Sequence, residues 1–187
     1  ILLLAASPAP PHASADWPEL GRAICLAPAD QNRSQIVSDG AAGAIIVWQD
    51  ARSARVNLFA RRVLASGDPD PAWPADGRPL LADSAALGTA GQQAPVVVSD
   101  GAGGAIVAWR EQRSAASGFD IFAQRILASG VLDPAGPAKG RALRAAGGAQ
   151  EAPAIAPDGV GGAIVAWMDA RPGATDFDVF AQHVLAS

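Results

Sequence analysis

One block of sequence is written three times in this chain, and it limits the possible folds more than any other feature. The copies read SDGAAGAIIVWQDAR, SDGAGGAIVAWREQR and PDGVGGAIVAWMDAR, followed shortly by NLFARRVLASG, DIFAQRILASG and DVFAQHVLAS. Trp48, Trp109 and Trp167 therefore recur about 60 residues apart, a long period typical of repeat architectures. The repeat reaches further. Trp17-Pro18-Glu19-Leu20-Gly21-Arg22 matches Trp73-Pro74-Ala75-Asp76-Gly77-Arg78, with a weaker third copy at Gly136-Pro137-Ala138-Lys139-Gly140-Arg141. Gln31, Gln92 and Gln150 fall in register as well. The chain divides into 16–72, 73–135 and 136–187, with 1–15 outside the repeat.

Each copy carries a hairpin signal. In the second, Pro95-Val96-Val97-Val98 is a short β-branched run, Ser99-Asp100-Gly101 is a turn, and Ala105-Ile106-Val107-Ala108-Trp109 is a second apolar run. Gly accepts the positive φ of a tight hairpin turn, so two such runs around Asp-Gly predict antiparallel strands. Neither run alternates, which predicts strands buried on both faces. Asp120 to Leu127 alternates more clearly and predicts a half-exposed third strand. Gly140-Arg141-Ala142-Leu143 predicts a short outer one. That makes four strands per unit, about twelve in all, with no convincing helical periodicity.

Four antiparallel strands repeated radially form a β-propeller blade. The unit also resembles the repeats of TolB-type propellers, on Pro153, Pro157-Asp158-Gly159, Ile164 to Trp167, Arg171, Asp178-Val179-Phe180 and Ala186-Ser187. It departs from them at Gly161-Gly162 and in its longer period. There is a looser echo of sialidase-like Asp-box propellers, without their Thr-Trp ending. The expected fold is thus all-β: three four-stranded propeller blades. Counted from the Pro-led strand, the chain opens on an outer strand at 21–26 and stops after a third strand at 178–185. Three blades are too few for an ordinary ring. The expectation is therefore a larger ring or assembly, with each end pairing outside these residues.

Composition narrows the partners. The formal net charge is −4 over 187 residues and no basic run appears, which argues against a nucleic-acid partner. The single cysteine, Cys25, cannot form an internal disulfide and reads as a small buried residue. Ile1-Leu2-Leu3-Leu4-Ala5-Ala6 followed by Ala13-Ser14-Ala15 reads as the tail of a secretory signal, which places the chain in an extracellular or periplasmic setting. That run is too short to span a membrane.

Candidate sites are few. Asp50-x-Arg52, Glu111-x-Arg113 and Asp169-x-Arg171 follow each Trp. Sialidase-like propellers use Arg from several blades to hold a substrate carboxylate, and a bidentate Arg–carboxylate pair makes that chemically sensible. A residue present in every copy is more simply a structural one, with Asp120 and Asp178 as the expected partners of Arg113 and Arg171. That enzyme mechanism also needs a Tyr, and these 187 residues contain none. Asp39, Asp100 and Asp158 at the hairpin turns read as caps of their own backbone amides. Asp68 and Asp70 read as a solvated turn, since two carboxylates fall short of a calcium site. Trp48, Trp109 and Trp167 read as core between units. Trp17 and Trp73, beside Pro in loops, read as surface contacts for a protein or glycan partner. The two histidines, His12 and His183, assemble neither a metal site nor a triad. No cofactor motif appears.

Two functions follow. One is a secreted, non-catalytic propeller that binds a partner or builds an assembly. The other is a fragment of an extracellular propeller hydrolase whose catalytic residues lie elsewhere. Near-interchangeable copies favour the first.

Overall fold

The structure, a computed structural model, describes residues 17–53, 55–81, 91–113, 118–145, 147–171 and 173–186. Residues 1–15, read above as the tail of a secretory signal, and with them His12, lie outside the described residues. Every regular element among the described residues is a β-strand. No helix among the described residues is long and apolar enough to cross a membrane.

Among the described residues eleven strands form three antiparallel sheets. The first holds β1 (Gln31–Ser38), β2 (Ala44–Asp50), β3 (Asn57–Val63) and β4 (Arg78–Pro79). The second holds β5 (Gln92–Ser99), β6 (Ala105–Glu111), β7 (Asp120–Ile126) and β8 (Arg141–Arg144). The third holds β9 (Gln150–Pro157), β10 (Ala163–Asp169) and β11 (Asp178–Val184), and no fourth strand covers β11 among the described residues. Strands pair in chain order. Outer strands are blunted in two ways that suit an edge: β4 ends on Pro79, and β8 is bounded by Arg141 and Arg144.

The inner strands carry the same irregularity three times. Register slips between Asn32 and Gln35, between Gln93 and Val96, and opposite Ala166 and Met168. At each slip one non-glycine residue, Arg33, Ala94 or Ala152, sits at a φ near the left-handed region (50°, 51° and 50°). Such backbone is sparsely populated for residues with a Cβ and persists where packing over-determines it. The Ala94 amide donates to Gln49 Oε1 at 3.1 Å, which fixes one of these bulges.

The sheets pack face to face, which explains the non-alternating strands. Along β6, Ala105, Val107 and Trp109 join one core with Ile45, Val47 and Leu58 of the first sheet. The intervening Ile106 and Ala108 join a second core with Ala163, Val165 and Trp167 of the third. Inner strands β1, β5 and β9 neighbour one another in turn. Gln92 reaches across the first interface: its Oε1 accepts the Leu58 backbone amide at 2.7 Å, and its backbone amide donates to Val56 O at 2.9 Å.

Three expectations are corrected. β7 is not half-exposed: six of its seven residues are buried, because sheets flank both its faces and β8 covers its edge. The third-strand pattern is exposed only in β11, where those neighbours are missing. Residues 21–26 form no strand. The segment lies against the first sheet, where Arg61 Nη1 donates to Ile24 O at 2.6 Å and the Leu26 amide donates to Asp76 Oδ1 at 3.2 Å. Among the described residues no backbone hydrogen bond joins it to β11. Cys25 is half-buried in polar company rather than packed in a core: Arg52 Nη2 donates to its Sγ at 3.1 Å.

Candidate functional site

The chemistry-bearing residues fall into two repeated clusters, one at each end of the hairpins. At the turn end, an Asp folds back on its own loop. Asp39 Oδ1 accepts the amides of Ala41 and Gly43, both at 2.8 Å. Asp100 does the same with Ala102 and Gly104, and Asp158 with Val160 and Gly162. Each cap therefore closes the hairpin locally, as its sequence predicts. The last glycine of each turn is needed for space. A Cβ on Gly104 would stand 2.6 Å from Asp100 Oδ2, and one on Gly43 would stand 2.6 Å from Asp39 Oδ2. The last glycine of each turn thus leaves room for the cap and for the facing carbonyl of Val63, Ile126 or Val184.

The other oxygen of each cap has a partner that sequence reading missed. Arg62 donates from Nε and Nη2 to Asp39 Oδ2 at 2.9 and 2.7 Å. Arg125 Nε donates to Asp100 Oδ2 at 2.9 Å. His183 Nε2 lies 2.7 Å from Asp158 Oδ2. The signal was the recurrence of a basic or imidazole side chain at one strand position in all three copies. Burial pushes the Asp39 carboxyl up, but the Ala41 and Gly43 amides and Arg62 outweigh it and hold the group below the usual carboxylate range. The His183 hydrogen bond, with the Val160 and Gly162 amides, lowers Asp158.

At the other end stands the Trp–acid–Arg cluster. Arg52 donates from Nε to Asp50 Oδ1 at 2.8 Å and from Nη2 to Asp50 Oδ2 at 2.6 Å. The Trp48 indole donates to the same carboxylate at 3.0 Å. The guanidinium lies 4.0 Å over the Phe59 ring, and Phe59 stacks with Trp48. Burial raises the fully buried Asp50; the donors from Arg52 and Trp48 win and hold it low. Arg52 is raised in turn, first by its hydrogen bonds to Asp50. The second unit repeats the arrangement. Arg113 grips Glu111 at 2.9 and 3.2 Å, Trp109 donates to Glu111 at 3.0 Å, and the guanidinium covers Phe122 at 3.5 Å.

These Arg residues also hold the outer strands. Arg52 Nη2 donates to Asp76 O at 2.8 Å, and Arg113 Nη2 donates to Lys139 O. The next residues, Gly77 and Gly140, lie on the Trp rings. A Cβ on either would stand 2.5 Å from Trp48 or 2.8 Å from Trp109. The Pro-x-x-Gly turn is thus a plug seated on each cluster. The pairings correct the expected partners: Arg113 takes Glu111 rather than Asp120, and Arg171 lies nearest Asp169 rather than Asp178.

The third cluster has the same members without the plug. Arg171 covers Phe180 at 3.8 Å, yet its Nε stays 3.9 Å from Asp169 Oδ2. Trp167 Nε1 and Asp169 Oδ2 are buried without hydrogen-bond partners. Arg144 Nε lies 3.6 Å from the same oxygen.

The two loop tryptophans part company. Trp17 is 56% exposed, as expected of a surface contact. Trp73 is 2% exposed and is a core residue wedged between the first two sheets, which corrects the surface reading. The neighbouring Pro suggested a loop; it did not reveal that the loop folds inward. Asp70 is likewise buried, capping the Ala72 amide at 2.9 Å, while Asp68 pairs with Arg22 at 2.7 Å. Among the described residues, no group of three or more His, Cys, Asp and Glu is placed to hold a metal ion.

No protein-family model and no curated protein sequence matches this chain. Among solved structures it is similar to an endo-arabinase from Bacteroides thetaiotaomicron VPI-5482, at 15% identity and a TM-score of 0.46. The similarity covers 90% of this chain and 61% of that one, so this chain spans less than two thirds of that protein's length.

Proposed function

We propose that this chain is a non-catalytic set of propeller-type blades, working outside the cytoplasm as an assembly module. The β11 edge is its joining surface. The observation that carries this reading is the third Trp–acid–Arg cluster. Trp167, Asp169, Arg171 and Phe180 stand together like their counterparts, but the turn that seats on the other two clusters has no equivalent there among the described residues. The chain also carries a further turn of the same kind, Trp17-Pro18-Glu19-Leu20-Gly21-Arg22. Leu20 is fully exposed, and a Cβ on Gly21 would meet nothing within 4 Å. The occupant we assign to the β11 edge is this turn from a second copy. It would bring a backbone carbonyl to Arg171 and a glycine to the Trp167 ring. The non-catalytic reading rests on Arg52 and Arg113, whose donors serve carboxylates and carbonyls of their own units.

Sedimentation of the chain over a range of concentrations tests this. Self-association is expected. Gly21→Asn should abolish it, because Asn tolerates the φ of +78° but adds a Cβ where the Trp167 ring would lie. A chain that stays monomeric at every concentration overturns the reading, as does a Gly21→Asn variant that associates normally.

A further inference from the structure

The two interfaces between sheets differ by one side chain. At the first, the Trp73 indole fills the wedge beside Ile45, Ala60 and Ile126. Its Nε1 donates to Ala128 O at 3.3 Å, and its ring presses on Gly130. At the second interface the repeat places Gly136 where Trp73 stood, followed by Pro137 as Trp73 is by Pro74. The matching wall residues, Ile106, Ala123 and Val184, are all present. They line a cleft of about 100 Å³ that is open on one side, with Gly136, Gln124 and Ala186.

We infer that this cleft is a binding site for a small planar aromatic ring carrying a ring N–H, of which indole is the type. The cleft corresponds to the Trp73 wedge with the indole removed. Its acceptors match as well. Ala186 O is the counterpart of Ala128 O, the carbonyl that takes the Trp73 N–H. Arg125 Nη1 already donates to it, and a carbonyl retains a second lone pair. Gln124 Oε1, on a side chain 4% exposed, is buried without a partner at the same place and wants a donor. Ile106, Ala123 and Val184 supply the apolar wall, and Arg125, Asp133 and Arg141 also line the cleft; polar groups set among apolar walls fix a ligand's orientation in small-molecule sites. A buried cavity of about 150 Å³ holds benzene, so an open-sided cleft of this size suits a ring that protrudes at its mouth.

Calorimetric titration of the chain with indole tests the inference. One equivalent should bind, with a dissociation constant of about 0.1–1 mM for a ligand of this size. Gly136→Trp should supply the ring from within, abolish binding and raise the Tm. A side chain there meets only ordinary contacts, Asp133 O at 3.5 Å and Gln124 Nε2 at 3.7 Å from a Cβ. Gly136→Leu repeats the measurement with a smaller plug and should weaken binding. Trp73→Gly should lower the Tm by about 10 °C, bind a second equivalent of indole and recover part of the loss in its presence. N-acetyltryptophanamide in place of indole separates the two sources of such a ring. Uptake of both points to a tryptophan side chain of a partner, and uptake of indole alone to a free heterocycle. Absence of binding at millimolar indole overturns the inference, as does unchanged binding by Gly136→Trp.

Discussion

Arg52 closes both arms of its guanidinium on Asp50, the residue two before it, and the fully buried carboxylate also accepts the Trp48 indole. With the Arg52 backbone amide, four donors converge on this one buried anion. Asp50→Ala strips Arg52 of its carboxylate partner and leaves the Trp48 indole without its acceptor. We expect it to cost about 3–5 kcal/mol in urea unfolding. Arg52→Ala should cost a comparable amount, and the double variant less than the sum of the two. Additive losses would contradict the pairing.

The depressed carboxyls set an acid limit. Asp39 and Asp50 are held below the usual carboxylate range because donors outweigh the burial that would raise them. The folded state therefore binds fewer protons at these groups than the unfolded state, whose Asp titrates at about 3.9. Their contribution is complete above that value and is lost as the pH falls through the lower folded values. Urea midpoints should hold steady above about pH 5 and drop steeply below about pH 4. Asp50→Asn should flatten that drop; an unchanged acid limb would refute the assignment.

The three hairpin caps should differ in strength. Asp39 pairs with an Arg62 that is largely covered, whereas His183 beside Asp158 is nearly half exposed. Asp39→Ala is expected to destabilise by about 3–5 kcal/mol, and Asp158→Ala by clearly less. Hydrogen exchange of the turn amides after each substitution checks the ranking. Equal effects would show that the second partner does not matter.

Gly140 carries a φ of +74° beneath the Trp109 ring. Gly140→Ala adds both backbone strain and a clash, so about 2–4 kcal/mol should be lost. Gly21→Ala has open space and should lose only the strain. A similar loss at both glycines would show that the ring contact carries no energy.

Local, repeated features were legible in the sequence. Asp-Gly turns between β-branched runs specify hairpins, and an Asp reaching amides two and four residues on specifies a cap, because both ends of each interaction lie in one short segment. Trp48, Trp109 and Trp167 were legible as core for the same reason: each ends a strand apolar on both faces. What only the tertiary structure decided concerns contacts between units. Trp73 and Trp17 stand in matching Trp-Pro turns, yet one is core and the other is more than half exposed, because the second sheet closes over Trp73 alone. Arg113 had two carboxylates near it in sequence, and the folded unit pairs it with Glu111, where Lys139 O and the Phe122 ring also hold the guanidinium. The cleft at Gly136 is invisible along the chain, since a glycine in a Pro-rich loop reads as a turn until the opposite wall is present. Residues 21–26 match an outer strand in pattern but form none, because a strand needs a partner backbone and the structure gives this segment only the side chains and turn of the first sheet.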